Sequence, residues 1–96
     1  MEKVANMQQF FKKTEFGREL EKISDKTNKV EGGSKVYKVI KKNNLGLSKG
    51  DYYYLDYQHG NHIEVYSNGK SKVVVNLDET VNKYKTLKAK NRTINI

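Results

Sequence analysis

Nine consecutive positions, Asp56-Tyr57-Gln58-His59-Gly60-Asn61-His62-Ile63-Glu64, hold both histidines of the chain and two of its carboxylates. An imidazole among carboxylates suits proton transfer near neutral pH. Strand alternation sharpens the picture: with Ile63 and Val65 turned into a core, His62, Glu64 and Tyr66 share the opposite face. Asp56 would end the preceding strand, and a short connection around Gly60 would bring it and His59 beside that open face. This grouping suits cleavage of RNA without a metal. The reaction needs a base for a ribose 2′-OH, an acid for the departing 5′-oxygen and a cation for charge developing on the phosphorane. Glu64 and His59 fit the proton-transfer pair, and Asp56 fits the group that orients the imidazole and raises its pKa. Arg92, the only arginine in the C-terminal part, has the forked, permanently charged group that suits a phosphate.

Two other uses of these residues stay open. His59 and His62 are three apart, a spacing that also occurs in metal sites, but no third nitrogen or sulfur ligand accompanies them. The expectation is a site with no metal and no cofactor. Among the tyrosines, alternation leaves Tyr54 and Tyr66 on the His62/Glu64 face as candidates to stack on unpaired bases.

The elements that must position these groups follow from periodicity. Val4, Met7, Phe10 and Phe11 mark one helical face over residues 3–13. Thr14 offers an N-cap to a second helix carrying Phe16, Leu20 and Ile23, which Gly17 should weaken. Residues 24–34 read as a polar linker ending in Gly32-Gly33. Strands are expected over Val36–Ile40, Tyr52–Tyr57 and His62–Tyr66. Asn68-Gly69 predicts a type I′ hairpin pairing 62–67 with 70–75. Beyond it the chain should make a short helical turn within 79–88, and Thr93–Ile96 should return as an edge strand. The expected fold is α+β: an N-terminal helical segment and linker over 1–33, then a twisted antiparallel sheet of four or five strands within 34–96, all in one compact unit.

The chain has 96 residues, 35% of them hydrophobic and 31% charged, with a mean hydropathy of −0.90. Absence of cysteine excludes disulfides, thiolate nucleophiles and zinc–thiolate sites. No apolar run approaches the roughly 20 residues needed to cross a bilayer, and the first residues carry no secretory h-region. The net charge of +8 is uneven. Residues 1–31 hold 7 basic and 6 acidic side chains, whereas residues 32–96 hold 12 and 5. Past Glu79 there is no acid, while Lys83, Lys85, Lys88, Lys90 and Arg92 follow. Such asymmetry points to a polyanionic partner, with those four lysines as candidate substrate contacts.

The run Tyr54-Leu55-Asp56-Tyr57-Gln58-His59-Gly60, followed by Ile63-Glu64-Val65-Tyr66, resembles the catalytic segment of the cytotoxic domain of ribosomal-RNA-cleaving colicins and cloacin. Asn91-Arg92-Thr93-Ile94 is similar to that family's terminal arginine segment. C-terminal domains of polymorphic and contact-dependent toxins are more similar still, through Lys49-Gly50-Asp51, Tyr54-Leu55-Asp56, His59-Gly60-Asn61-His62-Ile63-Glu64-Val65, Asn76-Leu77-Asp78, Lys85-Thr86 and Arg92. The likeness covers residues 47–96. It implies Asp56, His59, Glu64 and Arg92 as the catalytic set, with the glutamate as base and the histidine as acid. It also implies the decoding centre of small-subunit ribosomal RNA as target and an acidic immunity protein as partner. Delivery as part of a larger toxin, action in the target-cell cytoplasm and a monomeric free state belong to the same expectation. The chain departs from the colicins by one residue inserted between His59 and Glu64, which makes His62 an additional catalytic candidate. Glu79 stands where the wider toxin set has glycine, and the first 30 residues match nothing in the colicins. A non-catalytic RNA- or ribosome-binding module, a transfer-RNA nuclease and a metal-dependent nuclease are the alternatives.

Overall fold

The computed structural model describes residues 3–95. Two short helices lead into a five-stranded antiparallel meander, so the α+β architecture is as the periodicity predicts. The elements are α1 (Met7–Lys13), α2 (Glu15–Lys22), β1 (Ser24–Glu31), β2 (Ser34–Val39), β3 (Tyr52–Leu55), β4 (His62–Ser67), β5 (Lys70–Asn76) and α3 (Lys83–Lys88). Among the described residues no helix is long and apolar enough to cross a membrane.

Asn6 caps α1 by accepting the Gln9 N–H, and Thr14 caps α2 by accepting the Gly17 N–H. Both helices lay their apolar stripes on one face of the sheet. Met7, Phe10, Phe11, Phe16 and Leu20 pack there on Tyr37, Val39, Tyr53, Leu55, Ile63, Val65 and Val75. Gly17, expected to weaken α2, is instead required by the tight join between the helices. A Cβ there would overlap the carbonyl oxygen of Phe10.

Residues 24–31 are not a linker. They form β1, an edge strand paired with β2 from Ser24↔Val39 to Glu31↔Ser34. The boundary expected at residue 33 therefore falls in a hairpin turn, and the N-terminal section belongs to the same packed unit. The β4–β5 hairpin forms as predicted, with Asn68 and Gly69 at φ 53° and 81°. Strand β3 stops at Leu55, which frees Asp56 and Tyr57 for the loop that carries His59. Of the expected C-terminal strand, the described residues form a single bridge, Lys70↔Thr93. Ile96 lies outside the described residues.

The opposite face of the sheet carries a smaller cluster of Val36, Tyr66 and Ile94, with Tyr52 and Tyr54 against it. One end of this face is occupied by the histidines and carboxylates. The loop joining β3 to β4 is pinned through Gly60, whose N–H donates to the Asp56 carbonyl at 2.7 Å and whose own carbonyl accepts the Val4 N–H at 2.8 Å. Gly60 sits at φ 68°, and an added Cβ would overlap the Val4 carbonyl oxygen. Gly60→Ala should therefore destabilise the protein by at least about 2 kcal/mol, read as a lower urea midpoint. An unchanged midpoint would contradict this placement of the loop.

Candidate active site

Alternation along β4 divides its side chains as the sequence suggests. Ile63 and Val65 enter the main core, while His62, Glu64 and Tyr66 face the other way. Across the ladder Tyr54 pairs with Glu64, and Glu64 pairs with Val74. Directly after β3, Asp56 folds back over this face. Its Oδ1 accepts the backbone N–H groups of Gln58 and His59 at 3.0 and 3.2 Å. Its Oδ2 lies 3.0 Å from His59 Nδ1 and 3.0 Å from His62 Nε2. One carboxylate oxygen thus holds both imidazoles, whose ring centroids are 5.9 Å apart.

Arg92 arrives from the chain's far end. The Arg92 carbonyl accepts the Ser71 N–H at 3.0 Å, and the Ile94 N–H donates to the Gly69 carbonyl at 2.9 Å. These bonds lay the C-terminal segment along the β4–β5 hairpin, with Ile94 buried against Tyr66 and Val36. Arg92 Nη1 then donates to Glu64 Oε1 at 3.1 Å. Helix α3 buries none of its side chains and is held by hydrogen bonds instead. Thr86 Oγ1 accepts the Val74 N–H at 2.9 Å, and the Asn82 N–H donates to the Val74 carbonyl at 2.9 Å.

Asp56, His59, His62, Glu64 and Arg92 all line one cleft of about 380 Å³, joined by Tyr54, Tyr57, Lys85 and Lys88. Lys83 and Lys90 do not line it. The expected open surface is in part covered: Glu64 is only 6% exposed and His62 only 2%. Tyr66 is also buried, at 2% exposed, with its ring stacked on Tyr54 at 5.7 Å and the two hydroxyls 3.1 Å apart. It supports Tyr54 and has no free face for a base. Burial, the Tyr66 hydrogen bond and the nearby Glu64 carboxylate push the Tyr54 hydroxyl far above its ordinary value, so it stays protonated. Sequence assigns no role to three supporting residues, although Asn61 lies inside the nine-residue window and Thr86 beside Lys85. Asn61 Oδ1 lies 2.7 Å from His62 Nδ1, and Thr86 with Asn82 fixes α3. The Lys-Gly-Asp signature is structural: Asp51 is buried, accepting the Ser48 N–H and the Lys72 ammonium at 2.9 and 2.7 Å.

Environment separates the charges. Burial raises the Glu64 carboxyl above its ordinary value, with Arg92 pulling the other way. That moves a carboxylate toward the basicity useful near neutral pH. Burial would raise Asp56 too, but hydrogen bonds from the His59 ring and backbone and the nearby His62 outweigh it, and Asp56 is held below its usual range. Burial lowers His62, with Lys85 and His59 adding to the effect against Asp56. His62 Nε2 faces Asp56 Oδ2 at 3.0 Å, so both imidazoles meet the same carboxylate oxygen. His62 Nδ1 faces the Asn61 Oδ1 acceptor at 2.7 Å, which calls for a proton on Nδ1.

These shifts have opposite consequences for stability. The depressed His62 value gives stability that is present above about 6.5 and lost as pH falls through the folded value. The raised Glu64 value costs stability at neutral pH, and acidification relieves it. Glu64→Gln removes the compensating contribution. Its urea midpoint should therefore fall more between pH 7 and pH 5 than that of the wild type. An equal or smaller fall would contradict the burial of an ionised Glu64.

Asp56, His62 and Glu64 each offer a ligand atom, and these atoms lie within 4.8 Å of one another. As they stand, Arg92 takes the Glu64 oxygen and the two histidines take the Asp56 oxygen. A divalent cation would have to displace the guanidinium and accept Lys85 and Lys88 as neighbours. The donor set therefore fits proton transfer better than metal binding.

Comparison of the chain with protein-family models, with curated proteins and with solved structures finds no match in any of the three.

Proposed function

We propose that this protein is a toxin endoribonuclease that cleaves RNA by metal-independent acid–base catalysis. The observation that carries this reading is the chain of contacts His59–Asp56–His62 beside Glu64–Arg92, all lining a single cleft with two lysines. In the proposed reaction, Glu64 takes the proton of a ribose 2′-OH, and the 2′-oxygen attacks the adjacent phosphorus. As the P–O2′ bond forms, the P–O5′ bond breaks, and His59 gives its proton to the leaving 5′-oxygen. The products are a 2′,3′-cyclic phosphate and a 5′-hydroxyl. Asp56 holds His59 through Nδ1 and so leaves Nε2 for the leaving group. Arg92 bonds one Glu64 oxygen, leaves the other for the 2′-OH, and carries charge to the phosphorane. His62 has both nitrogens engaged and acts by holding Asp56.

Small-subunit ribosomal RNA is the proposed target, on the strength of the sequence resemblance, as are delivery within a larger toxin, action in the target-cell cytoplasm and silencing by an acidic immunity protein. Brief induction in bacteria followed by sequencing of new RNA 5′ ends tests the target. One dominant cut in small-subunit ribosomal RNA is expected; a cut in transfer RNA would reassign the substrate, and no cut would favour a binding module. The proximity of Asp56, His62 and Glu64 favours a second reading, a metal-dependent nuclease. Activity undiminished by EDTA supports the first reading, and its loss restored by a divalent cation supports the second.

A further inference from the structure

Tyr57 stands at the junction of two cavities. It lines the catalytic cleft, and it also lines a neighbouring cavity of about 180 Å³. That second cavity is walled by Asn6, Gln8, Gly33, Ser34 and Lys35, so the N-terminal section and the β1–β2 turn supply it. The ring lies beside Gly33, where an added Cβ would come 3.3 Å from Tyr57 Cδ2. Even so, Tyr57 is 57% exposed. It presents an aromatic face open to solvent, unlike Tyr66.

The polar groups around it are under-used. Ser34 is buried, and its hydroxyl has no hydrogen-bond partner among the described residues. Among the described residues, Gln8 Nε2 makes only a 3.4 Å contact with the Tyr37 hydroxyl, and no bond engages its carbonyl oxygen. Asn6 Oδ1 accepts the Gln9 N–H, which leaves the amide N–H groups. Of these side chains only Ser34 is buried; Asn6, Gln8 and Lys35 are exposed and so open to the edge of a base.

We propose that Tyr57 and this cavity form a subsite for the nucleobase immediately 3′ of the scissile bond. The side follows from the chemistry: His59 protonates the leaving 5′-oxygen, so the departing nucleotide lies on the His59 side of the phosphate. Tyr57 is two residues from His59 and lines the cleft beside it. The base stacks on the open face of the tyrosine, and its polar edge meets Gln8, Asn6 and Lys35. This assignment rests on the ribonuclease reading, and it gives the N-terminal section a part in choosing the substrate.

The test uses the purified full chain and a pool of single-stranded RNAs randomised around the cut, with initial cleavage junctions sequenced. The wild type should show a base preference at the first position 3′ of the cut. Tyr57→Ala should lose that preference and raise KM roughly 5- to 100-fold, the range expected for one base–aromatic stack, with a much smaller change in kcat. Tyr57→Phe should keep both the preference and KM, and Gln8→Ala should change which base is preferred. Thermal melts confirm that each variant is folded. Cleavage by the wild type with a preference that survives Tyr57→Ala would overturn the subsite alone. Absence of cleavage of any RNA by the wild type would overturn the ribonuclease reading, and the subsite with it.

Discussion

Glu64→Gln is expected to lower kcat for RNA cleavage by about 10²–10⁴, the usual worth of a positioned general base. Glutamine keeps the shape of the side chain and an oxygen for Arg92, so the bond across to the C-terminal segment survives. The loss should therefore fall on kcat, with KM and the circular dichroism spectrum little changed. Burial raises the Glu64 carboxyl, which predicts an acid limb of the wild-type pH–rate profile above the ordinary glutamate value of about 4.3. A folded Glu64→Gln protein with full activity would remove the base from the scheme.

Arg92→Ala should cost about 10²–10³ in kcat, the order found when a preorganised charge-stabilising donor is lost. A second effect distinguishes this role from simple phosphate binding. Arg92 is the group that pulls the Glu64 carboxyl down against burial. Without it the carboxyl rises further, and the acid limb of the pH–rate profile should move to higher pH. Arg92→Lys keeps a charge but loses the forked geometry, so it should recover part of the rate and much of the pH shift. Loss of RNA affinity with an unmoved pH profile would show that Arg92 meets phosphate alone, away from Glu64.

Much of the site was legible because strand alternation is a strict rule. With Ile63 and Val65 assigned to the core, the shared face of His62 and Glu64 follows, and the structure has it so. The Asn68-Gly69 hairpin was legible for a similar reason, since positive φ selects few residue types. Strand β1 was not legible as a strand. Its sequence, Ser24-Asp25-Lys26-Thr27-Asn28-Lys29-Val30-Glu31, lacks apolar alternation because an edge strand buries little, and its one large apolar side chain, Val30, is exposed. The signal available was Gly32-Gly33, a two-glycine turn at φ 55° and 85°, which joins strands as readily as it ends a linker. That turn also bears on the proposed subsite, because Gly33 lies beside the Tyr57 ring.

The burial of Tyr66 could not be read from period two. Alternation places it on the site face, but Ile94, 28 residues later, covers it. Docking of a C-terminal segment by Ser71, Gly69 and Ile94 is a tertiary event without local periodicity. The same docking brings Arg92 to Glu64. Chemistry and resemblance place Arg92 in one site with Glu64 as a group for phosphate; its direct bond to that carboxylate at 3.1 Å goes beyond the expectation. Helix α3 shows the limit of charge counting: of its lysines, Lys85 and Lys88 line the cleft while Lys83 does not, a division set by the hydrogen bonds of Thr86 and Asn82.

The central claim is that a carboxylate removes a 2′-hydroxyl proton while an imidazole protonates the leaving oxygen. Its most direct test is analysis of product ends after incubation of the purified protein with bacterial ribosomes and total RNA in the presence of EDTA. New 2′,3′-cyclic phosphate and 5′-hydroxyl ends are expected with the wild type and none with Glu64→Gln. Ends bearing 5′-phosphate, formed only when a divalent cation is supplied, would contradict that claim.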